Sequence, residues 1–89
     1  MAVASNGRRE NVEATLRAAK LLSLFDVIVG AEDVERGKPA PDVYLEAARR
    51  MRVAPEQCIA FEDSDEGLEA ARAAGMRTVD IREHFTPVR

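Results

Sequence analysis

The segment Cys58-Ile59-Ala60-Phe61 is a short apolar run, and the polar sequence Glu62-Asp63-Ser64-Asp65 follows it directly. An apolar run of this length, ended by polar residues, is typical of a buried strand. Ser64 is a favourable N-cap for a helix with apolar residues at helical spacing, and Gly75 suits the position just past that helix. The segment therefore predicts a strand, a helix between Ser64 and Gly75, and a further strand over residues 77–81.

The same alternation extends toward the N-terminus. Apolar runs at residues 1–4 and 26–30 predict two more strands, and residues 9–22 between them show helical spacing. A loop over residues 37–42 leads into another helix, which ends before Pro55. The order βαβαβαβ predicts an α/β fold with a parallel sheet that helices cover on both faces. We expect these strand residues to lie in the core: Val3, Val27, Ile28, Val29, Ile59 and Phe61.

Composition and charge exclude several classes of function. The chain has 89 residues, 46% hydrophobic and 33% charged, an ordinary globular mixture for one domain at most. No apolar run approaches the roughly 18–20 residues of a membrane span, and the N-terminal apolar stretch is too short for a signal peptide. The net charge of −3 forms no basic stripe, so we expect no nucleic acid partner. The single cysteine excludes an internal disulfide, and these absences favour the cytoplasm.

Polar residues follow three of the predicted strands. Ser5-Asn6-Gly7 comes after the first strand, Lys38 lies in the loop after the second, and Glu62-Asp63 closes the third. The chemistry of parallel α/β sheets collects beyond the carboxyl ends of the strands. We therefore expect these three places to open onto one edge of the sheet.

The first two places each have a functional and a structural interpretation. The hydroxyl and backbone N–H groups at Ser5 suit a phosphate cradle, but Ser, Asn and Gly are also common turn residues. Lys38 lies in a loop stiffened by two prolines, where an ammonium can neutralise a phosphoryl group or a nucleophilic carboxylate. The alternative for Lys38 is a solvated surface lysine.

The acidic residues have two interpretations as well. Glu62 and Asp63, with Asp65 and Glu66 behind them, have the oxygen chemistry and charge density that Mg²⁺ prefers. Alternatively, acids at this position stabilise the N-terminus of the following helix. That alternative accounts for Asp65 and Glu66 but poorly for Glu62, because a carboxylate directly after a strand is held near the buried sheet. Two other reactive side chains are assigned no chemistry: Cys58 is expected to fill the core and His84 to lie on the surface.

Together these segments resemble the haloacid dehalogenase-like hydrolase superfamily, in particular its β-phosphoglucomutase-like and hexose-phosphatase-like branch. Val3-Ala4-Ser5-Asn6-Gly7 looks like the second motif of the family, and Gly37-Lys38-Pro39-Ala40-Pro41-Asp42 is similar to the third. The fourth motif is matched by Phe61-Glu62-Asp63-Ser64-Asp65-Glu66-Gly67 and its continuation through Gly75-Met76. The resemblance implies that residues 1–89 form a single partial Rossmann-like core with three layers.

The resemblance also implies roles for individual residues. Ser5, with Asn6 beside it, would bind phosphate, and Lys38 would stabilise charge on the phosphoryl group and the nucleophile. Asp63 would bind Mg²⁺ directly, with Glu62 as a ligand or as a partner behind the ligands. The substrate would be a small phosphorylated metabolite, with a sugar phosphate favoured.

The sequence departs from the family at its most important motif. Family members form an aspartyl-phosphate on the first Asp of an Asp-x-Asp motif at the end of the first strand, but no Asp-x-Asp follows an N-terminal apolar strand here. The resemblance implies that the nucleophile strand and the cap domain would precede Met1, and that the chain is a fragment. Because the nucleophile strand is central in the family, its absence predicts two strand pairs with a gap between them.

Three hypotheses follow from this pattern. The first is the C-terminal core segment of a Mg²⁺-dependent phosphohydrolase or phosphomutase, inactive alone. The second is a non-catalytic α/β module that binds phosphate and Mg²⁺ or another protein. The third is a fragment that complements a chain carrying Asp-x-Asp. Unpaired edges at the gap also predict self-association or pairing with an added N-terminal segment.

Overall fold

The computed structural model describes residues 1–83 and has the predicted βαβαβαβ order. The four strands are β1 (Ala2–Ala4), β2 (Val27–Val29), β3 (Ile59–Glu62) and β4 (Arg77–Asp80). The three helices are α1 (Arg9–Ala18), α2 (Asp42–Met51) and α3 (Asp65–Ala73). Single 3₁₀ turns occur at Leu22–Leu24, Ala31–Asp33, Pro55–Gln57 and Ile81–Glu83. The predicted α/β class is confirmed, and His84 lies outside the described residues.

The strands form two separate parallel pairs. β1 pairs with β2, with Val3 opposite Ile28, and β3 pairs with β4, with Phe61 opposite Val79. No hydrogen-bonded ladder joins β1 to β3, both of which the structure describes in full. The two predicted strand pairs are therefore confirmed, and each pair has an open edge.

An apolar groove of about 720 Å³ is lined by both open strands. Ala2, Val3 and Ala4 of β1 contribute to it, as do Ile59 and Phe61 of β3. Residues of α2 and the Glu62 side chain at the end of β3 also line it. We call this feature the interstrand groove. The family resemblance predicts a central strand between these two strand pairs.

Helices α2 and α3 carry the core. α2 contacts β1, β2 and α3, while α3 contacts β3 and β4. Four of their eight buried residues are alanine, which allows close approach of the backbones. Val43 of α2 and Val29 of β2 are fully buried. By contrast, α1 buries none of its ten residues, all of which the structure describes. Within residues 1–83, no helix is long and apolar enough to cross a bilayer.

Strand β3 corrects one expectation. Ile59 and Phe61 were predicted to be core residues, but they are 50% and 65% exposed. Successive side chains of a strand point to opposite faces, and here Ala60 and Glu62 face the helices. Within the described residues, nothing covers Ile59 and Phe61 on the second face of β3, so the expected burial of these two side chains is wrong. Val29 is buried as predicted, whereas Val3, Val27 and Ile28 are only partly buried.

Helix α1 is shorter than predicted. It ends at Ala18 because Lys20 adopts a left-handed conformation, with φ of 60°, and the Leu21 N–H bonds back to the Leu16 carbonyl. This is the Schellman geometry, usually made with glycine. Helix α3 ends in the same way at Gly75, with φ of 86°, as the sequence indicates. A left-handed lysine leaves no comparable mark in the sequence.

Candidate active site

Two of the three predicted places meet through a buried ion pair. Lys38 Nζ lies 2.5 Å from Oε2 of Glu62, and the two side chains are only 12% and 9% exposed. The solvated-lysine alternative for Lys38 therefore does not hold. A carboxylate removed from water requires such a partner, because an unpaired buried charge would strongly destabilise the fold.

Gly67 makes room for the Glu62 carboxylate. A Cβ on Gly67 would overlap with Oε1 of Glu62, so the carboxylate rests directly on the first turn of α3. The same turn is capped as predicted, because the Gly67 N–H donates to Oγ of Ser64 at 3.0 Å. The contact at Gly67 and the Ser64 cap thus hold the Glu62 carboxylate against the first turn of α3.

Tyr44 is also a member of the site. The sequence placed it only on the apolar face of a helix, with no role in the site. Its hydroxyl donates a hydrogen bond to Oε2 of Glu62, and its ring centroid lies 5.1 Å from Lys38 Nζ. Burial raises the pKa of the Tyr44 phenol, and the adjacent Glu62 carboxylate raises it further. The phenol is therefore a proton donor across the physiological pH range.

Asn6 connects the turn after β1 to the loop that carries Lys38. Its side-chain oxygen accepts from the Lys38 N–H at 2.7 Å, and its side-chain nitrogen donates to the Lys38 carbonyl at 3.3 Å. A Cβ on Gly37 would lie 2.6 Å from the Asn6 oxygen, so glycine is required beside this clamp. The Asn6 side chain thus holds the backbone of the lysine loop, an arrangement that spacing alone does not reveal.

Ser5 forms the predicted turn. Its hydroxyl accepts from the Gly7 N–H at 2.9 Å, and its own N–H donates to the Val29 carbonyl at 2.9 Å. Both contacts are those expected of a residue that forms a turn. The hydroxyl proton remains a donor, so the contacts leave the phosphate-binding role of Ser5 open to test.

The N-terminus of α1 already has an anionic partner. Glu32 accepts from the Arg9 N–H at 2.7 Å, and Asp33 accepts from the Gly30 N–H while pairing with the Arg9 guanidinium at 2.7 Å. The Arg9 N–H lowers the pKa of the Glu32 carboxyl, and the Gly30 N–H lowers the pKa of Asp33. The sequence reasoning gave neither acid a role, because these contacts join residues more than 20 positions apart or depend on a 3₁₀ turn.

The acidic end of β3 carries the two carboxylates that the family resemblance assigns to Mg²⁺. Asp63 is exposed beside Glu62, whose Oε2 already receives the Lys38 and Tyr44 donors. Within residues 1–83, no three His, Cys, Asp or Glu side chains come close enough to hold a metal ion. Of the two carboxylates, Asp63 is thus the exposed one, while Glu62 is buried and engaged by Lys38 and Tyr44.

The other acids and the cysteine follow their structural interpretations. Asp65 pairs with Arg82 at 2.9 Å at the N-terminus of α3, and its side chain is exposed. Cys58 is partly buried against the core, with Sγ 3.5 Å from the Ala54 carbonyl, as expected of a core residue.

The geometry defines a class of protein: a parallel α/β core with a lysine–carboxylate pair at the carboxyl ends of its strands. A family model described as haloacid dehalogenase-like hydrolase matches residues 1–81. The chain belongs to this family.

Two relatives and one solved structure show which members of the family the chain is similar to. The chain is 49% identical over 82 residues to "Fructose-1-phosphate phosphatase YqaB" of Escherichia coli, covering 92% of this chain and 44% of the relative. It is 42% identical over 89 residues to "Protein CbbY" of Rhodobacter capsulatus, covering 97% of this chain and 39% of the relative. A crystal structure of a putative β-phosphoglucomutase from Thermotoga maritima superposes with a TM-score of 0.82 at 40% identity, covering 86% and 36% of the two chains. The chain thus spans less than half the length of these relatives.

Removing the Asn6 clamp is expected to loosen the lysine loop. In Asn6→Ala, the Lys38 N–H and carbonyl lose their partners, and the free energy of unfolding should fall by about 1 kcal/mol. Amide exchange at Lys38 should accelerate in parallel, while Asn11→Ala, an exposed position on α1, should change neither quantity. Unchanged exchange at Lys38 in Asn6→Ala would show that the clamp does not hold the loop.

Proposed function

We propose that the chain is the C-terminal core segment of a Mg²⁺-dependent phosphohydrolase or phosphomutase that acts on a small phosphorylated metabolite, with a sugar phosphate as the favoured class. The observation that carries this proposal is the buried Lys38–Glu62 pair at the carboxyl ends of the strands. The names of the relatives, a fructose-1-phosphate phosphatase among them, support the substrate class. We also propose that residues 1–89 act as one partial domain.

Lys38 would stabilise negative charge. Its ammonium has three N–H donors, of which Glu62 engages one, so the others are available to a phosphoryl oxygen or an attacking carboxylate. The Asn6 clamp and the buried pair hold both ends of this residue in place. Such preorganisation is what makes electrostatic stabilisation of a transition state effective.

Ser5 and the backbone around Asn6 would bind the phosphoryl group from the other side. The Ser5 hydroxyl would donate its proton to a phosphoryl oxygen while it continues to accept from Gly7. The Asn6 side chain would act on phosphate indirectly, through the position of Lys38. Mg²⁺ held at Asp63 would supply further neutralisation of phosphoryl charge.

The interstrand groove supports the complementing-fragment hypothesis as a second candidate. It is lined by the open strands β1 and β3, and Glu62 at the carboxyl end of β3 is part of its lining. An added apolar strand ending in carboxylates would satisfy both edges and place those carboxylates near Lys38. The non-catalytic binding module remains the alternative if turnover is absent after such a strand is added.

Magnesium binding tests the proposed site directly. Because a single protein carboxylate plus water is a weak Mg²⁺ site, we expect chemical-shift changes near Glu62–Glu66 only at high Mg²⁺, and no turnover of hexose phosphates by the chain alone. Asp63→Asn should abolish those shifts. Asp65→Asn, in the same acidic segment but paired with Arg82, should retain them. Equal responses of both variants would favour the interpretation that the acids only stabilise the helix N-terminus.

A further inference from the structure

Tyr44 contacts both charged members of the candidate site. It lies in the first turn of α2, is 8% exposed, and is flanked on the buried face by Val43, Ala47 and Ala48. Its hydroxyl reaches Oε2 of Glu62, and its ring lies under the Lys38 ammonium. Phenylalanine would fill the same volume in this apolar environment, so core packing does not account for the hydroxyl.

The Glu62 carboxylate is oriented by contacts on each side. Oε2 receives the Tyr44 hydroxyl and the Lys38 ammonium, while Oε1 rests on Gly67. With one donor removed, the carboxylate could rotate about its terminal bond, since that torsion is broad. The two donors therefore select one orientation of the carboxylate.

The Lys38 ammonium is held by two different interactions. Its hydrogen bond to Glu62 fixes the distance, and the face of the Tyr44 ring attracts the cation from 5.1 Å. A lysine side chain otherwise has many rotamers, and ordering it before an anion arrives lowers the entropy cost of binding. The same aromatic residue thus acts on both partners of the pair.

We propose that Tyr44 is a positioning residue, whose hydroxyl orients Glu62 and whose ring holds the Lys38 ammonium in the geometry that receives a phosphoryl group. The importance of that geometry for phosphoryl binding rests on the proposed function. The positioning itself depends only on the contacts among Tyr44, Lys38 and Glu62.

The ammonium signals of the two lysines provide the test. Lys38 and the exposed Lys20 are the only lysines in the chain, so ¹⁵N–¹H spectra of the side-chain ammonium groups contain one site signal and one internal reference. Lys20→Arg assigns them. At mildly acidic pH and low temperature, without Mg²⁺ or phosphate, we expect hydrogen exchange at Lys38 to be about tenfold slower than at Lys20.

Tyr44→Phe separates the hydroxyl from the ring. Loss of the hydroxyl should accelerate exchange at Lys38 several-fold and broaden the Glu62 carboxyl signal, with Lys20 and the amide signals of α2 unchanged. A purely structural role would leave the Lys38 signal unchanged, because phenylalanine keeps the packing. Unchanged Lys38 exchange and an unchanged Glu62 signal would overturn the proposal.

The parent chain supplies a second measurement if Tyr44→Phe does not fold. We expect a slowly exchanging Tyr44 hydroxyl proton with nuclear Overhauser contacts to Glu62 and Lys38. Absence of that proton, or of a protected Lys38 ammonium, would contradict the proposal. Addition of inorganic phosphate and Mg²⁺ then distinguishes the two proposals: a protected Lys38 that does not respond to them supports the positioning role and overturns the proposed function.

Discussion

Lys38→Met should lower the free energy of unfolding by about 3 kcal/mol, because it leaves the Glu62 carboxylate buried without its cation. The pair is nearly enclosed, with 12% and 9% of the side chains exposed, so water cannot replace the ammonium without opening the site. Denaturant unfolding followed by circular dichroism measures the loss. Methionine retains most of the aliphatic volume of lysine, so the loss reports charge more than packing.

Two variants control this result. Lys20→Met removes the other lysine, which is exposed and has the left-handed backbone, and it should change stability by less than about 0.5 kcal/mol. The double variant Lys38→Met/Glu62→Gln removes both charges, and it should recover a large part of the lost stability. Equal unfolding free energies for Lys38→Met and Lys20→Met would mean that the buried pair is not formed in solution.

Gly67→Ala is the second substitution with a large expected effect. On helix propensity alone, alanine would stabilise α3 by about 1 kcal/mol relative to glycine. Here the new methyl group would overlap with Oε1 of Glu62, so either the carboxylate or the helix must move. We expect a net loss of about 2 kcal/mol, because displacement of Glu62 also disturbs its bonds to Lys38 and Tyr44.

A matched alanine substitution separates propensity from the steric conflict. Glu69→Ala lies on the exposed side of the same helix and should be close to neutral. Thermal unfolding of both variants measures the difference. A gain in stability for Gly67→Ala would show that Glu62 does not rest on this turn.

The sequence predicted the elements whose signals are local. The acidic turn after β3, the Ser64 cap and the left-handed Gly75 each depend on residues close in the chain, and each is confirmed. The two strand pairs are confirmed as well. They were predicted because the family resemblance implies a central strand between them. Lys38 and Glu62 were brought together correctly, since both follow the carboxyl ends of parallel strands.

The features that the sequence did not predict depend on distant contacts or on unusual backbone. Tyr44 appears as one of several apolar positions of α2, and only the tertiary structure shows its hydroxyl against Glu62, 18 residues away. The exposure of Phe61 depends on what lies over the second face of β3, which its own sequence does not encode. The early end of α1 depends on a left-handed lysine, a conformation without a residue-specific mark.

A chimera tests most directly whether this chain carries the proposed phosphoryl-transfer site. In the chimera, the chain replaces the 82-residue matching stretch of the E. coli fructose-1-phosphate phosphatase, to which it is 49% identical. We expect the folded chimera to hydrolyse fructose 1-phosphate with Mg²⁺, and Lys38→Met within it to reduce kcat by about 100-fold or more, while Lys20→Met leaves kcat unchanged. A folded chimera without activity, or one whose activity survives Lys38→Met, would contradict the proposed function.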